Sequence, residues 1–224
     1  MEKMLDVTYQ DLLARDEKTK SYNLSHLFHN KKMSLATVVY CSGVFMTSVI
    51  NYGLVFNIDL LSGSFFINSV IMGIIRWAIN ILFGVLEFKH KAVGRKIAHF
   101  ISQSLIAVCL GVVAAIYLLG FQNDLSNIIR ISTVTAAATT SQTFITKTIS
   151  AMEYYPTVVR NSGLALKSTC SRLGTIVAPQ LFILSVWEPL PYFVLTAMTL
   201  FDTIAYQLVI PETKGKSLPE NLPE

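Results

Sequence analysis

The sequence predicts an all-α, polytopic membrane protein with six transmembrane helices. Of its 224 residues, 52% are hydrophobic and only 14% are charged, against roughly 25% charged residues in an ordinary soluble domain. The mean hydropathy is +0.51. The charged residues are concentrated in a few short segments with long apolar stretches between them, so a water-soluble fold is not expected.

Six apolar segments are long enough to cross a bilayer. The first has no Asp, Glu, Lys or Arg in 26 positions, a helix of about 39 Å against a hydrocarbon core of about 30 Å. Helices are expected because backbone polar groups in lipid must be hydrogen-bonded within the segment, and the alternation typical of a barrel is absent. The six-span bundle, 33–211, is predicted to contain spans at 33–58, 64–86, 97–121, 127–150, 163–187 and 190–210.

The segments between the spans alternate in charge. Lys and Arg occur in the leader, after the second span, around the fourth-to-fifth connection and in the tail, whereas the other connectors hold Asp59, Asp124 and Glu188 without any Lys or Arg. The positive-inside tendency therefore predicts a cytoplasmic leader at 1–32 and a cytoplasmic tail at 212–224. The basic residues do not form one patch, so the expected partner is the lipid bilayer and not nucleic acid. We expect the protein to lie in the plasma membrane.

The fourth span contains an unusual run of small and polar residues at 132–143. Such a surface favours close helix packing or a watery cavity over contact with lipid. An interior position is therefore predicted for this helix.

Three charged residues lie near the middle of predicted spans: Arg76, Arg172 and Asp202. Charges at this depth are costly unless they find a partner or water, which makes them candidates for function. Arg172 and Asp202 have similar depths, so an ion pair between them and a substrate-facing Arg172 both remain open. Arg76 is predicted to face a cavity. Lys147 lies nearer a span end and is predicted to reach the headgroups.

No enzymatic motif is present. We find no nucleophile elbow, phosphate-binding loop, H-E-x-x-H sequence or pair of carboxylates on one helix face. The cysteines and histidines are isolated and lack metal-ligand spacing. The sequence therefore predicts no catalytic residue, no metal site and no cofactor.

Five segments resemble signatures of the organic cation/anion transporters of the major facilitator superfamily. The longest, at 153–163, reads E-Y-Y-P-T-V-V-R-N-S-G against the family's E-x-x-P-T-x-x-R-N-x-G. The others are N-Y-G-L at 51–54 followed by Asn57, G-R-K at 94–96, R-L-G-T-I-V-A-P at 172–179 and P-E-T-K-G-K-S-L-P at 211–219. They cover nearly the whole chain in the family's order.

The resemblance implies the C-terminal six-helix half of a twelve-helix transporter, which holds its substrate at midplane between two halves. It implies transport of small organic ions by alternating access, with a missing N-terminal half as partner. The alternative is a truncated, transport-incompetent half that acts only by assembling with a partner or with a second copy of itself.

The resemblance also indicates the sign of the substrate. At the position of Arg172, anion and zwitterion carriers of the family tend to have Arg and cation carriers Asp, so an anion or zwitterion is favoured over a cation. In the second span, Arg76 and Asn80 replace the family's usual residues. The predicted substrate-binding residues are Arg172, Arg76, Tyr52, Asn80 and Thr143.

A gate is implied at the cytoplasmic ends of the helices. Glu153 is expected to pair with Arg160 or Arg95 in one state of the transport cycle and to release them in another. The predicted gating residues are Gly94, Arg95, Lys96, Glu153 and Arg160.

Overall fold

The computed structural model describes residues 24–58, 61–90, 93–183 and 187–216. These residues form a short 3-10 helix, Leu24–Phe28, and six α-helices, with no strand among them. The α-helices are α1 (Lys31–Phe56), α2 (Phe65–Lys89), α3 (Arg95–Leu119), α4 (Ser126–Tyr154), α5 (Arg160–Ile183) and α6 (Leu190–Val209). The parts of the predicted leader and tail at 1–23 and 217–224 lie outside the described residues.

The helix ends follow local chemistry. The side chain of Asn30 accepts a hydrogen bond from the backbone nitrogen of Lys32 (2.9 Å) and caps α1. Gly120 ends α3 with a φ of +76°, a conformation that favours glycine. All the helix ends lie within four residues of the predicted span boundaries. The largest differences are at α4, which continues to Tyr154, and at α5, which ends at Ile183.

The central helix of the bundle is α1, which packs against α4, α5 and α6. Helix α3 packs against α4 and α6, α2 mainly against α4, and α5 mainly against α1. The run at 132–143 in α4 is largely buried, with Ala136, Ala138 and Thr139 fully enclosed. The predicted interior position of α4 is therefore confirmed.

The outer surface of the bundle is apolar. Large hydrophobic side chains such as Trp77, Phe88, Ile176 and Leu208 are exposed, as suits a lipid-facing surface. Four helices, α1, α2, α3 and α6, are long and apolar enough to cross a membrane by length and composition. Helices α4 and α5 carry more polar residues, and in α4 most of these face the interior.

We call the end of the bundle that holds Lys31, Arg95, Arg160 and Lys214 the basic end. An apolar cluster closes the bundle there, built around Tyr40, Tyr155 and Tyr206 together with Leu27 and Val159. A second, larger cluster fills the rest of the bundle between α1, α3, α4 and α6.

Candidate functional site

A cavity of about 350 Å³ lies where α2, α4 and α5 diverge in front of α1. The cavity forms because α2 packs mainly against α4 and α5 packs mainly against α1, which leaves a space between α2 and α5. The lining residues are Asn51, Tyr52, Arg76, Ser141, Phe144, Ile145, Ser168, Ser171 and Arg172. Two of them are arginines, and none is acidic.

Arg76 spans the back of this cavity. Its Nη2 donates to Oδ1 of Asn51 and to the carbonyl oxygen of Ala137, both at 3.2 Å. Thr140 donates to the same Asn51 oxygen (2.8 Å) and thereby fixes it. Nε of Arg76 is buried and has no hydrogen-bond partner among the described residues. The guanidinium is thus held by neutral oxygens, and no described residue forms a salt bridge with it.

Arg172 is exposed on the cavity side of α5 and forms no salt bridge with a described residue. The ion pair between Arg172 and Asp202, one of the two predicted alternatives, does not form. Equal depth along two helices does not set the direction of the side chains. Asp202 points into the bundle toward α3 and α4, whereas Arg172 points to the cavity.

The other predicted binding residues divide into three cases. Tyr52 lines the cavity, with its ring centroid 5.7 Å from that of Phe56. Asn80 lies beside the cavity and accepts a hydrogen bond from Ser141 (3.1 Å). Thr143 is fully buried and does not line the cavity. Its substrate contact stays a prediction, since the side chain faces the packed interior of the bundle in this structure.

The sequence reasoning missed the polar residues that complete the cavity. Ser168 lies one helical turn before Arg172 on α5, and Asn51 and Ser171 are direct neighbours of Tyr52 and Arg172. These positions could have been found from the predicted residues, whereas no predicted residue on α4 indicated Ser141. The missed residues are Asn51, Ser141, Ser168 and Ser171.

Lys147 lies in the interior of the bundle. It is 0% exposed, and its Nζ donates to Oδ2 of Asp202 (2.5 Å), to the carbonyl oxygen of Gly43 (2.8 Å) and to Oγ1 of Thr47 (2.8 Å). Gln103 donates to the same carboxylate. The predicted contact of Lys147 with headgroups is therefore wrong. Because α4 continues to Tyr154, Lys147 lies about two turns inside the helix.

A group of ion pairs joins α2, α3 and α4 at the basic end. Nη2 of Arg95 lies 3.0 Å from Oε1 of Glu153, and Nη1 contacts Glu87. Nε of Arg160 donates to the carbonyl oxygen of Tyr155 (3.2 Å). Of the two partners predicted for Glu153, Arg95 is therefore the one engaged in this state.

The tail docks onto the same group of residues. Oε1 of Glu212 accepts from the backbone nitrogen of Arg95 (2.8 Å) and Oε2 from that of Lys96 (3.1 Å), at the start of α3. A Cβ atom at Gly94 would overlap this carboxylate, so glycine leaves the space for it. Lys214 donates to the carbonyl oxygens of Glu87, His90 and Val93, at the end of α2. The tail thus connects the ends of two helices.

The docked tail should respond to the charge of Glu212. Burial raises the pKa of this carboxyl, but four backbone N–H donors lower it by more, so the pKa lies below its usual 4.5. The carboxylate therefore contributes stability above pH 4.5 that is lost as the pH falls through the lower folded value. We expect Glu212→Gln to speed tryptic cleavage after Lys214 about fivefold at pH 7.5, since about 1 kcal/mol of docking is lost.

Asp124→Asn, which removes an exposed carboxylate at the opposite end of the bundle, is the matched control and should leave cleavage after Lys214 unchanged. In the unsubstituted chain, hydrogen exchange of the docked tail, corrected for its intrinsic rate, should be constant between pH 5 and 8. Equal cleavage after Lys214 in both chains would show that the tail is not held through Glu212.

A sequence profile described as sugar (and other) transporter matches residues 4–222. The organic cation transporter protein of Drosophila melanogaster is 32% identical over 180 residues, which are 80% of this chain and 31% of that protein. The steroid transmembrane transporter SLC22A24 of Equus caballus is 28% identical (92% and 36%), and human organic cation/carnitine transporter 2 is 26% identical (95% and 36%). The chain spans about a third of the length of these relatives.

Proposed function

Because the chain belongs to the sugar (and other) transporter family of the major facilitator superfamily, a family of membrane transporters and not of enzymes, we propose that it acts as the C-terminal half of a secondary transporter. This multi-pass membrane protein moves small organic ions by alternating access, with anions or zwitterions as substrates. The observation that carries the proposal is the pair of arginines, Arg76 and Arg172, in one cavity without an acidic lining residue.

The arginines favour an anionic group for electrostatic reasons. A unit charge about 4 Å from a guanidinium gains about 4 kcal/mol at an effective dielectric constant of 20, and a cation would lose a similar amount. The names of two relatives specify organic cations. The sign of the substrate's charge is therefore the property that separates this proposal from what those names describe. The ring of Tyr52 and the side chain of Phe144 provide apolar contact beside the charges.

The gate in this proposal is the group of ion pairs at the basic end. Arg95 binds Glu153 and Glu87 in this structure. The backbone nitrogen of Lys96 binds the Glu212 carboxylate of the tail, and Gly94 leaves the space for it at the start of α3. Release of Glu153 from Arg95, with capture by Arg160, would loosen α3 from α4 and open the cavity toward this end.

The proposed orientation places the basic end, and both chain termini, in the cytoplasm. Lys and Arg crowd this end, whereas the connectors at the opposite end contain Asp124 and Glu188 and no basic residue. We place the protein in the plasma membrane.

Biotinylation of an engineered cysteine at Asp124 should occur from outside intact cells, and at Lys216 only after permeabilisation.

Substitution of Arg172 tests the binding site. We expect Arg172→Gln to weaken binding of benzoate to the purified chain in lipid nanodiscs at least tenfold, since a charged hydrogen bond contributes about 1.5–3 kcal/mol. Isothermal titration calorimetry measures the affinity. Lys216→Gln, which removes an exposed charge in the tail, is the matched control and should leave benzoate affinity unchanged. Equal affinity in the unsubstituted and Arg172→Gln chains would overturn the assignment.

Assembly with a second copy is the second candidate function. Arg172 and Ser168 are exposed on the face of the bundle that borders the cavity, and lipid is a poor solvent for such a face. Native mass in mild detergent measures the assembly. Twice the chain mass of 24.9 kDa supports a homodimer, whereas a monomer argues against it.

A further inference from the structure

We infer that Lys167 forms a second anion-binding site at the floor of the cavity. This inner site receives the anionic group of the substrate after it leaves Arg172. The inference rests on the proposed function, because it assumes that the cavity takes an anion. It adds a binding residue on the path from the cavity to the basic end.

Lys167 lies between the cavity and the basic end. It is five residues before Arg172 on α5, about 7.5 Å nearer the basic end along the helix axis. Its Nζ donates to Oγ1 of Thr148 (2.7 Å). Thr148 is one turn beyond Phe144 on α4, in the same direction. Both partners are therefore just below the cavity residues of their own helices.

The bond between Lys167 and Thr148 joins α4 and α5 on the basic-end side of the residues that line the cavity, and we take it as the floor of the cavity. Helices α4 and α5 make few other contacts with each other, because each packs mainly on different neighbours. Lys167 is only 5% exposed, so the floor is closed in this state. An anionic group that moves from Arg172 toward the basic end along α5 can reach the Lys167 ammonium by replacing the hydroxyl of Thr148.

The charge of Lys167 is uncompensated. It forms no salt bridge with any residue in the described part of the chain. The positive charge of Lys147 opposes it, and the Cys41 thiol is the side chain nearby that favours it. Lys147 differs because Asp202 neutralises it. A buried ammonium held only by a hydroxyl is costly, and a carboxylate in place of Thr148 would remove that cost.

The two lysines thus have different roles. Lys147 has three oxygen partners, one of them a carboxylate, and holds α4 to α1 and α6. Lys167 has one neutral partner, which an incoming anion can replace. The arrangement provides successive positive charges along the path, first Arg76 and Arg172 in the cavity and then Lys167 at its floor.

Benzoate binding to the full chain tests the inner site at Lys167. We expect Thr148→Val, which keeps the size of the side chain and removes the competing hydroxyl, to strengthen a second binding event about fivefold, giving two benzoate ions per chain. Thr148→Val combined with Lys167→Met should bind one. Thr148→Val combined with Lys167→Arg, which keeps the charge, should bind two, and so should Thr148→Val combined with Lys216→Met. Equilibrium dialysis in nanodiscs gives the stoichiometry, and circular dichroism confirms folding.

The two proposals fail separately in this experiment. One benzoate per chain in the Thr148→Val variant, or two in the variant that also lacks Lys167, contradicts the inner site at Lys167. This holds even where binding of the first benzoate ion requires Arg172. Benzoate binding that does not depend on Arg172 contradicts the proposed function. If Lys167→Met unfolds the chain, the Lys167→Gln variant takes its place with the same expected stoichiometry.

Discussion

Replacement of Asp202 with leucine should destabilise the bundle by about 3–5 kcal/mol, because it leaves the Lys147 ammonium buried without a counter-charge. Lys147 is 0% and Asp202 1% exposed, so water cannot substitute for the carboxylate. Gly43 and Thr47 would still accept hydrogen bonds from the ammonium, but neither carries a charge. The free energy of unfolding in mixed micelles, followed by circular dichroism, measures the loss.

The double variant Lys147→Met/Asp202→Leu is the control for this prediction. Apolar side chains of similar volume in place of a buried pair are often neutral or stabilising, so we expect the double variant to recover most of the lost stability. A single variant that loses less than about 1 kcal/mol, or a double variant no more stable than Asp202→Leu, would contradict the assignment of a buried ion pair.

Replacement of Gly174 with alanine should cost about 2–3 kcal/mol by overpacking the interface between α1 and α5. A Cβ atom at this position would overlap the backbone carbonyl oxygen of Phe45 and lie 2.9 Å from Cβ of Ser48. A backbone atom cannot rotate away as the tip of a flexible side chain can. The two helices must therefore move apart along the most extensive interface of the bundle.

Gly111→Ala is the matched control for Gly174→Ala. Gly111 also lies inside a helix, α3, but a Cβ atom there meets nothing within 4 Å. Its replacement should leave stability unchanged or raise it by up to about 1 kcal/mol through helix propensity. Equal stability of the two variants in the same unfolding assay would show that α1 and α5 do not approach closely at Gly174.

The helices themselves could be predicted from the sequence. In lipid, the long runs between charged segments have no alternative to helical hydrogen bonding, and the six α-helices lie within four residues of the six predicted spans. The burial of the small and polar run in α4 was also predictable, because such residues favour helix contacts.

The partners of the buried charges could not be predicted. Depth along a helix follows from counting residues, but the direction of a side chain depends on how the helix is rotated in the bundle. Arg172 and Asp202 share a depth and face different surroundings. A four-residue difference at the end of α4 was enough to move Lys147 from a predicted headgroup contact to the core.

At the basic end, some of the ion pairs could be predicted from the sequence, but the docking of the tail could not. The motif at 94–96 and Glu153 indicated ion pairs there, and Arg95 does bind Glu153. The contribution of Glu212 and Lys214 could not be derived from spacing, since they are more than a hundred residues from the helix ends that they bind. Long-range docking of this kind has no local sequence signal.

The central claim, a cavity for an organic anion formed by Arg76 and Arg172, is tested most directly by ligands that share a shape and differ in charge. Titration calorimetry on the purified chain in nanodiscs would compare benzoate with benzyltrimethylammonium. We expect benzoate to bind at least tenfold more tightly, with the preference lost in the Arg76→Gln/Arg172→Gln variant. Tighter binding of the cation, or a preference for benzoate that persists without both arginines, would contradict the claim.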